Sequence, residues 1–134
     1  MNEETGKGFW DDAEVIYAYT RAQALEDGVL VDVSEMAKEA GIKFPVALTA
    51  TVYGQYVEVP EGVTGQDESG RLWDILGMFR CAAAQFQGDT LLFKFYVRNQ
   101  NRELDRRDLV TLKAICGPGD DAEPVITIML PEED

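Results

Sequence analysis

The sequence predicts an α+β fold: an antiparallel three-stranded C-terminal meander packed on a long amphipathic helix, behind a mostly helical N-terminal half. Three observations lead there. The chain has 134 residues, 46% of them hydrophobic, including six Phe, five Tyr and two Trp, enough to bury one core and too apolar for a disordered acidic tail. Leu72, Ile75, Leu76, Phe79, Ala83 and Phe86 recur at spacings of three and four, the stripe of an amphipathic helix. Beyond them, Leu91, Phe93, Phe95 and Val97 alternate with Leu92, Lys94, Tyr96 and Arg98, which is the strand period.

Residues 1–134 read as a single domain whose first eight residues lie outside the folded unit. Phe9 and Trp10 ahead of Asp11 and Asp12 have the look of a hydrophobic staple at a helix start, where acids favour the positive helix end. Residues 13–19 fit helix or strand equally. Thr20 is placed to cap a helix over 21–27 that Gly28 ends. Val29–Val33 is apolar and β-branched, as an extended segment would be, and Ser34 should cap a short helix, 35–40, closed by Gly41. Two periods compete over 45–57: Val46, Leu48, Ala50 and Val52 alternate, whereas Val52, Tyr53, Tyr56 and Val57 share a helical face. Pro45 favours the helix, since proline suits a first turn. Pro60–Gly70 is a polar loop, and the long helix spans 68–87. After the strand at 91–97, Asn99–Arg102 is a turn. Val110–Cys116 is a second strand, Gly117–Pro124 a loop and Val125–Leu130 a third strand. These short, turn-rich connections leave no room for a parallel crossover among the three.

The formal net charge is −13, and it is unevenly placed. Residues 1–69 hold fourteen acids against Lys7, Arg21, Lys38 and Lys43. Over 94–113 the sign reverses, with Lys94, Arg98, Arg102, Arg106, Arg107 and Lys113 against Glu103, Asp105 and Asp108. Residues 114–134 carry six acids and no base. Such a field opposes direct nucleic-acid binding and favours a basic protein partner. No stretch approaches the roughly 20 apolar residues of a membrane span, and the acidic N-terminus lacks the apolar core of a secretory signal. Cys81 and Cys116 read as reduced core residues, so the expected location is cytoplasmic.

The chain contains no histidine, which removes Ser-His-Asp and Cys-His catalysis and the usual histidine metal sites. It has neither a dinucleotide fingerprint nor a phosphate loop. No catalytic residue, cofactor or metal is expected. The most site-like segment is the loop bearing Gly117, Gly119, Asp120, Asp121 and Glu123. As a hairpin connection its glycines supply positive φ and its aspartates make local turns; as a functional loop it displays carboxylates for recognition. Its spacing does not match a calcium loop. Arg98, Arg102, Arg106 and Arg107, interleaved with Tyr96, form a candidate basic patch, partly neutralised by neighbouring acids. Asp11, Asp12, Glu14 and Asp32 are explained by helix-start charge, and Tyr17, Tyr19, Tyr53 and Tyr56 by aromatic packing with wet hydroxyls.

Two segments, Tyr19–Val33 and Leu112–Pro131, resemble an uncharacterised domain-of-unknown-function family of small acidic proteins encoded in bacterial genomes, often near plasmid, phage or transferable-element genes. The resemblance supplies no catalytic residue, cofactor or substrate, and it implies a role in gene transfer or against host defence. The sequence therefore points first to a non-catalytic protein-interaction module. The alternatives are a nucleic-acid-mimicking inhibitor of a DNA-handling or defence enzyme, and a carboxylate/metal-dependent enzyme.

Overall fold

A computed structural model of the chain describes residues 19–63, 67–97 and 108–133. In chain order it contains α1 (Arg21–Glu26), β1 (Leu30–Asp32), α2 (Ser34–Glu39), β2 (Val46–Thr49), α3 (Ala50–Val52) running into a π-helical turn (Tyr53–Val57), α4 (Glu68–Ala83), β3 (Thr90–Val97), β4 (Asp108–Pro118) and β5 (Pro124–Met129). The strands form one five-stranded sheet in the order β1-β2-β5-β4-β3.

This corrects the predicted architecture. The sheet is mixed and five-stranded, not a three-stranded antiparallel meander, and the N-terminal half supplies two of its strands. β1 pairs antiparallel with β2, and β4 antiparallel with β3 and β5, but β2 and β5 run parallel, with Val46 opposite Ile126 and Leu48 opposite Ile128. The parallel pair is possible because the connection from β2 to β5 is long. It passes through α4 and the two intervening strands, so short local turns did not exclude it.

Both periods read over 45–57 are present, one after the other. Residues 46–48 are fully buried in β2. Thr49 then ends the strand and caps the next helix, its Oγ1 accepting the Val52 N–H at 3.3 Å. Pro45 precedes the strand rather than opening a helix, and its carbonyl accepts the Ile126 N–H at 2.9 Å. Thr20 caps α1 in a reciprocal box with Gln23. Ser34, by contrast, is not a cap. Its hydroxyl donates to Asp32 at 2.6 Å and accepts the Val46 N–H at 3.0 Å, joining α2 to the start of β2.

The core lies on one face of the sheet. Leu72, Ile75, Leu76 and Phe79 of α4 are buried against Phe93, Phe95, Leu112, Ile128 and Leu48, and the Phe79 and Phe93 rings meet edge-on at 5.7 Å. Arg71, 3% exposed, donates to the Glu58 carbonyl at 2.9 Å, so the end of the π-turn is held by a buried cation. Helix α4 stops at Ala83, and Phe86 beyond it is exposed. Cys81 is exposed on α4 and Cys116 is half-buried against the core; both are free thiols. The expectation of two core cysteines therefore fails for Cys81, which sits on the helix face opposite Phe79. No helix of the described residues is long and apolar enough to cross a membrane.

Candidate interaction site at the β4–β5 loop

The loop singled out in the sequence closes the hairpin between β4 and β5. Gly117 belongs to β4, so the connection is shorter than the glycine content implied: residues 119–123 turn between Pro118 and Pro124, which face each other across the ladder. The turn is braced from within. The Gly119 N–H donates to the Glu123 carbonyl at 2.6 Å, the Ala122 N–H to the Gly119 carbonyl at 3.0 Å, and the Asp121 N–H to Glu123 Oε1 at 3.0 Å. A Cβ at position 119 would lie 2.6 Å from the Glu123 carboxylate, so a side chain there would displace Glu123 from its place in the turn. Ala122 takes the left-handed conformation, φ 66°, which a non-glycine residue adopts at a cost.

The three carboxylates of the loop have different surroundings. Asp120 turns back onto the protein, where its two oxygens accept the N–H groups of Arg21 at 2.8 Å and Ala22 at 3.0 Å. These are orphan donors in the first turn of α1, and a carboxylate there also meets the positive end of the helix. The Ala22 and Arg21 amides, helped by the Arg21 charge, hold the Asp120 carboxyl below its usual range. Glu123 is committed to the turn itself. Asp121 is exposed, and its carboxylate accepts no hydrogen bond from the described residues.

Arg21 is the residue that sequence reasoning passed over. Its guanidinium crosses to β5 and donates to Thr127 Oγ1 at 2.8 Å and the Ile126 carbonyl at 3.0 Å. Partial burial pulls it towards the neutral form, while Asp32, Asp120 and Glu123 hold it charged. A signal was present: a base in the first turn of a helix opposes the macrodipole, and α1 has no acid in that turn. The compensating acid comes from Asp120, at the far end of the chain.

Beside this knot, a groove of about 670 Å³ runs over the face of the sheet remote from the core, lined by Tyr19, Arg21, Ile115, Asp120, Thr127 and Met129 among others. Its floor is mostly apolar, and two of its hydroxyls are paired: Thr49 Oγ1 donates to Glu133 Oε1 at 2.8 Å, and Thr127 Oγ1 accepts from Arg21 at 2.8 Å. Among the described residues no group of three or more Cys, Asp or Glu is placed to hold a metal ion. Tyr53 and Tyr56 pack against the core, Tyr56 edge-on to Phe95 at 5.9 Å, while the Tyr19 hydroxyl donates to Asp27 at 2.8 Å. They form no common groove. The candidate basic patch of Arg98, Arg102, Arg106 and Arg107 lies outside the described residues, as do Asp11, Asp12, Glu14 and Tyr17.

Searches of the curated proteins and of the solved structures return no match. A family model does match, over residues 6–134, and the chain thus belongs to the family of unknown function DUF6573.

Proposed function

We propose that this protein is a non-catalytic interaction module that engages a basic segment of another protein at the β4–β5 end. The observation that supports this reading is the division of labour in the loop. Asp120 and Glu123 hold the turn in place, and Asp121 projects from a backbone that is already ordered. A preorganised acidic turn loses little conformational entropy on binding, and the groove beside it offers apolar area to the partner's flanking residues. The test is capture of partners from the native host by Asp121→Lys. Capture should be lost with the melting temperature unchanged; undiminished capture rejects the site. Asp120 is unsuitable for this purpose, because its replacement loosens α1.

A second reading, a nucleic-acid-mimicking inhibitor of a DNA-handling or defence enzyme, draws on the placement of charge. Every described carboxylate side chain is exposed except Glu133, which is half-buried. The resemblance to small acidic proteins encoded near mobile-element genes favours it too. Such a decoy would bind its target less tightly as salt rises and would compete with DNA. Binding indifferent to salt rejects this reading and leaves the first intact.

A further inference from the structure

We infer that two copies of this protein join along the free edge of β3, extending the sheet from five strands to ten about a two-fold axis. β3 ends the sheet, and among the described residues no strand pairs with its outer edge. The ladder shows which backbone groups face that edge. The Cys116 N–H donates to the Asp89 carbonyl at 2.8 Å, and these residues stand opposite each other in the register that pairs Thr90 with Ile115. Opposed pairs in an antiparallel ladder alternate between bonded and non-bonded, so Leu91, Phe93 and Phe95 bond β4. The N–H and C=O groups of Thr90, Leu92, Lys94 and Tyr96 therefore point away from the sheet. Such a row is a template for an incoming strand.

Apolar side chains border this edge on both faces. On the outer face Leu92 and Tyr96 are 59% and 60% exposed. On the core face the border is α4. Arg71 bonds the Glu58 carbonyl at the end of the π-turn, and Tyr56 of that turn packs on Phe95, so this flank of α4 looks towards β3. Arg80, on the opposite flank, lies against Gly41 ahead of β2. Met78 follows Arg71 by seven residues and shares its flank; it is 46% exposed. Symmetry selects the occupant. A second β3, antiparallel and fully overlapped, sets Thr90 against Tyr96 and Leu92 against Lys94 of the other copy, with the axis beside Phe93. The Phe79 ring meets Phe93, so the adjacent Met78 stands near the level of the axis and faces its counterpart. One patch thus serves both subunits.

Charge agrees. In a chain with 25 acids, residues 90–97 contain none, and Lys94 is their one charge. In this register it meets Leu92, whose side chain covers the lysine stem. A basic partner, which the acidic surface attracts elsewhere, is repelled at this edge by Lys94. Repulsion between two acidic copies is weak here. Asp32 of β1 and Glu35 and Glu39 of α2 belong to the opposite edge of the sheet. β1 is four strand spacings from β3, roughly 19 Å, against a screening length of about 8 Å at physiological salt.

The experiment follows the mass of the full chain by analytical ultracentrifugation over a concentration series, where it should rise from one chain to two. Lys94→Pro removes an N–H that points out of the ladder, a place where an edge strand tolerates proline. It should retain the far-UV circular dichroism and hold the protein at the one-chain mass. Leu92→Lys sets like charges opposite each other twice in the dimer, and Leu92→Glu sets opposite charges there. The lysine variant should dimerise about tenfold or more weakly than the glutamate variant. Net charge alone predicts the reverse order, because lysine brings the chain closer to neutrality from −13. If Lys94→Pro unfolds, the two Leu92 variants decide. A one-chain mass at every concentration overturns the inference. A dimer that survives in a folded Lys94→Pro, or that is equally strong in both Leu92 variants or stronger in the lysine one, overturns it by placing the contact elsewhere.

Discussion

Asp120 and Asp121 are adjacent and chemically identical, yet one serves the fold and the other faces solvent. Asp120 accepts two backbone N–H groups at the start of α1, contacts that exist only for a chain whose ends have come together. Its carboxyl titrates lower in the folded protein than in the unfolded one. The unfolded chain therefore binds the extra proton first. The stabilisation is complete above the ordinary aspartate value of 3.8 and is lost as pH falls through the depressed folded value. Asp120→Asn should lower the melting temperature at neutral pH, and its deficit against the parent should close as pH falls below that range. Thermal melts of both proteins across the acid limb measure this. Nothing near Asp120 in the sequence marks it for this role. The base at Arg21, set against the helix dipole, was the legible half of the pair.

Helix α4 and the turn from β2 into α3 show when local pattern suffices. Helix α4 has 16 residues, long enough for the period of its apolar stripe to be read against any neighbour, and Leu72, Ile75, Leu76 and Phe79 of that stripe become buried. Phe79→Ala should cost about 3–5 kcal/mol in urea denaturation, as for large aromatic truncations in packed cores. Trp73→Ala, on the exposed side of the same helix, should stay within about 0.5 kcal/mol. The segment 45–57 lacked that length. Strand β2 has four residues and α3 three, so each period was sampled too briefly to exclude the other. Proline ahead of the segment was compatible with both, since it also tolerates the position just before a strand.

The molecule as a whole is organised around β5, which is flanked on both sides, by β2 and by β4. It also supplies the Ile126 and Thr127 acceptors that receive Arg21. Amides of β2, β5 and the facing part of β4 should exchange slowest, opening only with the whole domain. Those of α1 and the three-residue edge strand β1 should exchange through local opening. Native-state hydrogen exchange read by residue checks this; uniform protection across all five strands would contradict it. The charge pattern belongs to this scale too. Carboxylates cover the periphery, while the outward side of β3 and β4 is free of them and holds Lys94 and Lys113, an asymmetry that emerges only when the strand pleat separates alternate residues onto two faces.

The sequence by itself determined the α+β character, the long helix and the approximate extents of β3, β4 and β5. These are long segments whose side-chain period repeats often enough to state which face is buried. The tertiary structure alone decided that 46–49 is a strand, that the extended segment within 29–33 pairs with it, that β2 lies parallel to β5, and that Asp120 belongs to α1. Those outcomes rest on hydrogen bonds between segments far apart in the chain. A ladder such as Val46 opposite Ile126 is made by backbone groups that every residue carries, so no side chain announces it in advance.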